Sequence, residues 1–268
     1  MPHWSSAVFH GFHDQIQEID RVLHLCMDGL QQLAHGVPLA EALAELDKID
    51  KPDLDPEAQK RRLESVRRRA EFASKEIERG FPILHAHAVV ATWGALEAFI
   101  EDLVLAWLQN EPKLLSSDSF SGVRIPLAEY QLLDDEERLR VLLREFSRQS
   151  KADLKGGLSG FEILLESVGM AGGVEDETRT TLFEMYHVRN VLVHRAGVVD
   201  RRLAKACSWL NLAVGSKLFI SHDKYLAYVG AIGAYMVELV KRSLRARGYS
   251  PEEAERLVKR DVGEAGRR

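Results

Sequence analysis

Apolar residues along this chain recur at steps of three and four positions, which predicts helices rather than sheet. From about Trp4 to Ala34, Ile16, Ile19, Leu23, Met27 and Leu30 share one face of an amphipathic helix, closed by Gly36 and Pro38. A short helix over about Leu39 to Leu46 follows. In the turn KPDLDP, Pro52 and Pro56 fix the backbone and Asp55 is placed to cap the next helix. That arginine-rich helix runs to about Arg79, where Gly80 and Pro82 break it. The segment from Ile83 to Gln109 is apolar around most of its circumference and is expected to be the central helix of the core.

No proline occurs between Leu127 and Ser250, which favours long helices across the second half. The stretch from Glu111 to about Pro126, containing SSDSFSG, reads as a mobile loop. Helices are expected near Asp134 to Ser150 and Phe161 to Val168. Glycines 169, 172 and 173 precede Glu175, Asp176 and Glu177, and this acidic cluster suits the positive end of a new helix, which Gly197 is placed to terminate. A short helix over Asp200 to Leu212 and a brief extended piece at KLFIS lead to a last long helix, about His222 to Arg247, with Ser221 as its N-cap. The tail from Pro251 is amphipathic for about three turns. The fold class is therefore all-α, with residues 1–80 a helical extension and 81–268 the core.

Composition narrows the function classes. Hydrophobic residues at 46% and charged residues at 29% are ordinary for a globular chain that buries its own core. The two cysteines, Cys26 and Cys207, form no disulfide framework or zinc spacing, which fits a reducing, cytoplasmic setting. Neither a signal peptide nor a membrane span is expected, because Glu97, Glu101 and Asp102 interrupt even the most apolar segment. Three basic runs read as solvated helix faces: Arg61 to Arg69, Arg138 to Lys151, and Lys241 to Arg247. The histidine pairs lack accompanying cysteine or carboxylate ligands at metal spacing, so neither a metal nor a cofactor is expected.

The segment RNVLVH carries the most chemistry. On a helix Asn190 and His194 stack on one face, while Arg189 and His194 point some 140° apart. An arginine grips phosphate oxygens and a histidine moves a proton near neutral pH, with Asn190 able to orient either the imidazole or a substrate. With 24 arginines and 10 histidines in the chain, this Arg-to-His spacing arises by chance roughly once. Requiring one of the three asparagines after the arginine lowers that to about one in a hundred, so the asparagine carries the signal. Arg189 has two candidate partners, Glu97 and Glu184, and His194 can equally cap its helix or bond within the core. Glu97 and Glu101, one turn apart, read as an ion-pairing face, with Glu97 able to orient Arg189. Tyr186 and Trp209 offer stacking platforms for a base, and His187 shares a rough face with His194.

RNVLVH on a late helix resembles the motif of the HEPN superfamily: an Arg, a polar residue, a short spacer and a His. ATWGALEAFIEDLV (Ala91 to Val104) resembles the long first core helix of those proteins, and HRAGVVD resembles bacterial members. The resemblance covers roughly Phe81 to Arg247. It implies a helical bundle that dimerises so that two motif helices form one composite site. The implied activity is metal-independent RNA cleavage, often in toxin or antiviral defence systems, with an antitoxin or regulatory protein as a further partner. Carried over, His194 is the general acid or base, Arg189 stabilises phosphate charge and Asn190 supports the geometry, while Glu97, Tyr186 and His187 assist. Some regulated toxins place a Tyr two residues after the His; here Ala196 stands there. Other members keep the fold without catalysis, so a non-catalytic module binding RNA or protein is the alternative.

Overall fold

The computed structural model describes residues 3–50, 55–126, 130–150 and 157–265; Pro52 and Lys151 lie outside them. These residues form eleven α-helices and no strand. A single antiparallel bridge, Val198 to Lys217, is what the expected extended piece amounts to.

In chain order the first four helices are α1 (His3–Ala34), α2 (Val37–Asp50), α3 (Pro56–Glu78) and α4 (Pro82–Asn110). A 3-10 turn, Pro112–Ser116, leads to the one-turn α5 (Asp118–Ser121). Then come α6 (Asp135–Gln149), α7 (Gly157–Ser167) and α8 (Asp176–His194). The short α9 (Arg201–Ala206), the long α10 (His222–Arg245) and α11 (Pro251–Ala265) complete the series.

Helix ends follow local chemistry. Asp55 accepts the Glu57 N–H at 3.0 Å, and Ser221 accepts the Lys224 N–H at 3.2 Å, as the sequence predicts. Asp134 and Glu137 form a reciprocal capping box on α6. α4 is capped differently: Phe81, in the left-handed region at φ 57°, turns the chain so that the buried Glu76 carboxylate accepts the Ile83 N–H at 3.1 Å. α8 closes where the Gly197 N–H reaches back to the Val191 carbonyl at 3.1 Å with Gly197 at φ 74°.

α4 is the hub. Trp93, Leu96, Ile100, Leu103 and Val104 are fully buried, each contributing about 1.5–3 kcal/mol by leaving water. α1, α6, α7, α8 and α10 all pack on it. Phe9 and Phe12 of α1 meet Phe99, with ring centroids 5.3 and 4.7 Å apart, so the first helix joins the central core.

Three expectations need correction. The stretch 111–126 is not a structureless loop: its two short helical turns place Phe120 in the core against Phe146, centroids 5.0 Å apart. The single helix expected over Asp200 to Leu212 divides into α9 and a 3-10 turn at Ser208–Leu210, and Asn211 takes a left-handed conformation after it. The third basic run is not a solvated face. Arg242 is buried against Glu162 at 2.7 Å, Lys241 pairs with Glu255, and Arg247 lies over the Trp107 ring. The first run is exposed, as are Arg140, Arg144 and Arg148 of the second.

Candidate functional site

α8 is anchored from below by a residue the sequence reading used only as a possible partner for Arg189. Glu184 lies in phase with Val188 and Val191, on the core side of the helix, and is buried. Its carboxylate accepts hydrogen bonds from Trp209 Nε1 at 2.6 Å, Lys224 Nζ at 2.8 Å and Tyr228 OH at 2.8 Å. A buried carboxylate survives only with such compensation. Glu184 is thus engaged by α10 and Trp209, and Arg189 takes the other candidate.

Arg189 Nη2 bonds the Glu97 carboxylate at 3.0 Å, and its Nη1 donates to the Asn190 side-chain oxygen at 3.2 Å. The pair is partly shielded, with the Arg189 side chain 23% exposed and Glu97 39%. Arg189 Nε is buried without a hydrogen-bond partner. The guanidinium is therefore held at the wall of a groove of about 490 Å³ between α4, α6, α7 and α8. Glu97, Glu101, Ser147, Tyr186 and Asn190 share that wall. Tyr186 reaches it over Trp93, ring centroids 5.7 Å apart, and Gly157 at φ 55° lets the chain pass so close that a Cβ there would stand 3.1 Å from the Tyr186 ring.

His194 does not line this groove. It occupies the last position of α8, exposed, and its side chain forms no hydrogen bond or ion pair with a described residue. Immediately beyond it the backbone turns through Ala196 at φ 49° and Gly197, and the Lys217 ammonium caps the Ala196 carbonyl. His187 is elsewhere again: buried, its ring packs edge-on against Phe183 and Tyr186. Burial, and then the charge of Arg202, hold its pKa below the usual histidine value. The structure thus joins Arg189, Asn190, Glu97 and Tyr186 in one groove, leaves His194 free at the helix end, and puts His187 in the core.

Gly157, Gly160 and Ser147, which complete the groove, carried no sequence signal. Glu184 did: a lone carboxylate in register with Val188 and Val191 marks a buried charge that needs donors. A larger cavity, about 580 Å³, opens between α7, α8 and Trp209. Of the polar groups that line it, Glu162 is engaged by Tyr235 and Arg242, and Arg179 by the Val174 carbonyl.

Comparison of the chain with protein-family models, with curated proteins and with solved structures finds no match. Function must therefore be argued from the site itself. No group of three or more His, Cys, Asp or Glu able to hold a metal ion occurs among the described residues, and no helix there is long and apolar enough to cross a membrane.

Proposed function

We propose that this chain is a HEPN-type endoribonuclease that works as a homodimer without a metal, as an effector in a toxin or antiviral defence system under a regulatory protein. The observation that carries the reading is the division of labour on α8: Arg189 fixed in a groove by Glu97 and Asn190, and His194 exposed and unpartnered five residues on. One chain then offers half a site. In the reaction, imidazole takes the proton of a ribose 2′-hydroxyl as that oxygen bonds to the adjacent phosphorus. The bond from phosphorus to the 5′-oxygen breaks, and an imidazolium returns a proton to the leaving oxygen. The products are a 2′,3′-cyclic phosphate and a 5′-hydroxyl. The Arg189 guanidinium neutralises charge on the phosphoryl oxygens, and Tyr186 gives an unpaired base a surface to stack on.

Purified protein should cleave single-stranded RNA in EDTA, with activity per chain rising with protein concentration until the dimer is saturated. His194→Ala or Arg189→Ala should lower cleavage at least a hundredfold while helicity and mass stay unchanged. Full activity of the His194→Ala protein sinks the assignment. The second reading, a non-catalytic RNA-binding module, is favoured by the Arg189–Glu97 ion pair, which already satisfies part of the guanidinium. Its signature is RNA binding without cleavage, weakened by Arg189→Ala and indifferent to His194→Ala.

A further inference from the structure

The outer face of α8 continues from His194 onto a surface that the proposed chemistry leaves unused. Phe183, His187, Asn190 and His194 follow one another at steps of four, three and four residues, so they fall within about 60° of one another on the helix. Beyond His194 the chain reverses at Ala196 and Gly197 and runs back along this face: α9 packs on α8, and the Trp209 indole reaches Glu184. Two contacts set the register of the return. The charge of Arg202 acts on His187, and the Trp209 ring lies 6.5 Å from that of Phe183, centroid to centroid. His194, α9 and the two rings therefore stand in a row, from the C-terminal end of α8 toward its N-terminal half.

The row carries cations and open aromatic surface. Between Arg195 and Leu210 the chain has Arg195, Arg201, Arg202 and Lys205 against one carboxylate, Asp200, although its net charge is −5. Asp200 caps α9, accepting the Leu203 N–H at 2.8 Å. Leu203 is buried, so Arg201 and Lys205, two residues to either side of it, point to solvent. Arg201, Arg202 and Lys205 are exposed, and their side chains form no hydrogen bond or ion pair with a described residue. Trp209 and Phe183 are 48 and 38% exposed. The indole is nevertheless fixed, because its Nε1–H donates to the buried Glu184 carboxylate at 2.6 Å. Both rings line the 580 Å³ cavity between α7 and α8. Fixed, open rings beside unpaired cations are the combination that holds a single nucleic-acid strand, phosphates by charge and a base by stacking.

We propose that this row is the track of the RNA strand on the His194 side of the site, with α9 holding its phosphates while Trp209 and Phe183 stack an unpaired base. That the strand is RNA rests on the proposed function; the surface itself calls for a single-stranded polyanion with flat bases. From His194 back to Phe183 is eleven residues, about 16 Å of helix, so the stacked base lies a few nucleotides from the bond that is cut. A duplex does not fit the rings, because its bases have no free face. An anionic membrane fits less well than a strand, because two rings lining a cavity present no continuous apolar face to insert.

The test follows binding of a fluorescein-labelled single-stranded RNA by anisotropy in EDTA, with the full chain carrying His194→Ala so that the strand stays intact. Trp209→Leu and Trp209→Phe both lose the bond to Glu184, so a purely structural effect weakens them equally, whereas stacking separates them. Trp209→Leu should weaken binding about tenfold, and Trp209→Phe should recover most of that loss. Arg201→Gln/Arg202→Gln/Lys205→Gln breaks no contact within the chain and should lower the slope of log affinity against log salt by about two. The same sequence annealed into a duplex should bind Trp209→Leu and the parent chain alike. The proposal is overturned if no single strand binds, if the two Trp209 variants bind alike, if the triple variant keeps the salt slope, or if phosphatidylserine vesicles bind in place of RNA. The nuclease reading fails separately. A strand bound with these dependencies but left uncut by the unsubstituted chain supports the track and refutes the nuclease; cleavage with a KM indifferent to Trp209→Leu does the reverse.

Discussion

The Glu184 network allows a quantitative test of what holds the motif helix in place. Tyr228→Phe deletes one donor and leaves the ring, which is 1% exposed, in its place. The carboxylate keeps Lys224 and Trp209, so the loss is one charge-assisted hydrogen bond, about 1.5–3 kcal/mol. Glu184→Ala removes all three bonds and orphans the buried Tyr228 hydroxyl. Lys224 and Trp209 are partly exposed and recover by turning to water. The expected cost is about 3–5 kcal/mol, which for a chain of this size lowers Tm by roughly 6–20 °C. The discriminating measurement is the double-mutant cycle by urea denaturation. In the Glu184→Ala background the Tyr228 hydroxyl has no partner, so Tyr228→Phe should be neutral or stabilising there. If Tyr228→Phe costs the same with and without Glu184, the hydroxyl is not held by that carboxylate and the reasoning fails.

Two further outcomes are expected. His85 is fully buried beside His222, with Nε2 and Nδ1 3.2 Å apart; burial first, and then the charge of His222, hold its pKa below the usual value, as burial does for His187. The unfolded chain therefore binds more protons below about pH 6.5, and stability should fall as pH drops through that value by up to about 1.4 kcal/mol per pH unit for each such histidine. His85→Leu should flatten the profile measured by urea denaturation, and an unchanged slope would count against the assignment. Gly172→Ala should destabilise by about 1–3 kcal/mol in the same assay, because a Cβ there would collide with the Arg242 side chain. That guanidinium cannot retreat, since Glu162 and the carbonyls of Met170 and Gly173 hold it. A neutral result would show that it can move.

The parts of the fold legible in the sequence were those written in periodicity and capping. Three- and four-residue spacing placed the long helices, and Asp55, Ser221 and Gly197 sit where caps are needed. Long-range burial was not legible. Arg242 lies in a run of cations that looks solvated until Glu162, eighty positions earlier, is brought beneath it. Phe120 stands in a serine-rich stretch whose polarity predicts a loop, yet one aromatic ring is enough to pin it to Phe146. At the candidate site the same division holds. Helical phase places Asn190 one turn before His194, yet its side chain bonds its chain neighbour Arg189, and the choice of Glu97 over Glu184 as partner depends on which carboxylate the donors of α10 have already taken.

That choice shapes the chemistry available to the motif. α8 is fixed at its middle through Glu184 and at Arg189 through Glu97, so the guanidinium belongs to the scaffold. His194 belongs to the rim, since the chain reverses at Ala196 and Gly197 immediately beyond it. Five helical residues separate the two groups by some 140°, and no turn of the imidazole alone closes that angle. Bringing both to one phosphate within a chain would mean drawing Arg189 away from Glu97 and Asn190. That costs about 1–2 kcal/mol for bonds of this partial exposure. Supplying the imidazole from a second α8 leaves the Arg189 bonds intact and requires only association. On the proposed function, the site is therefore one completed across an interface, where Arg189 stays in its groove and the exposed imidazole comes from the other copy.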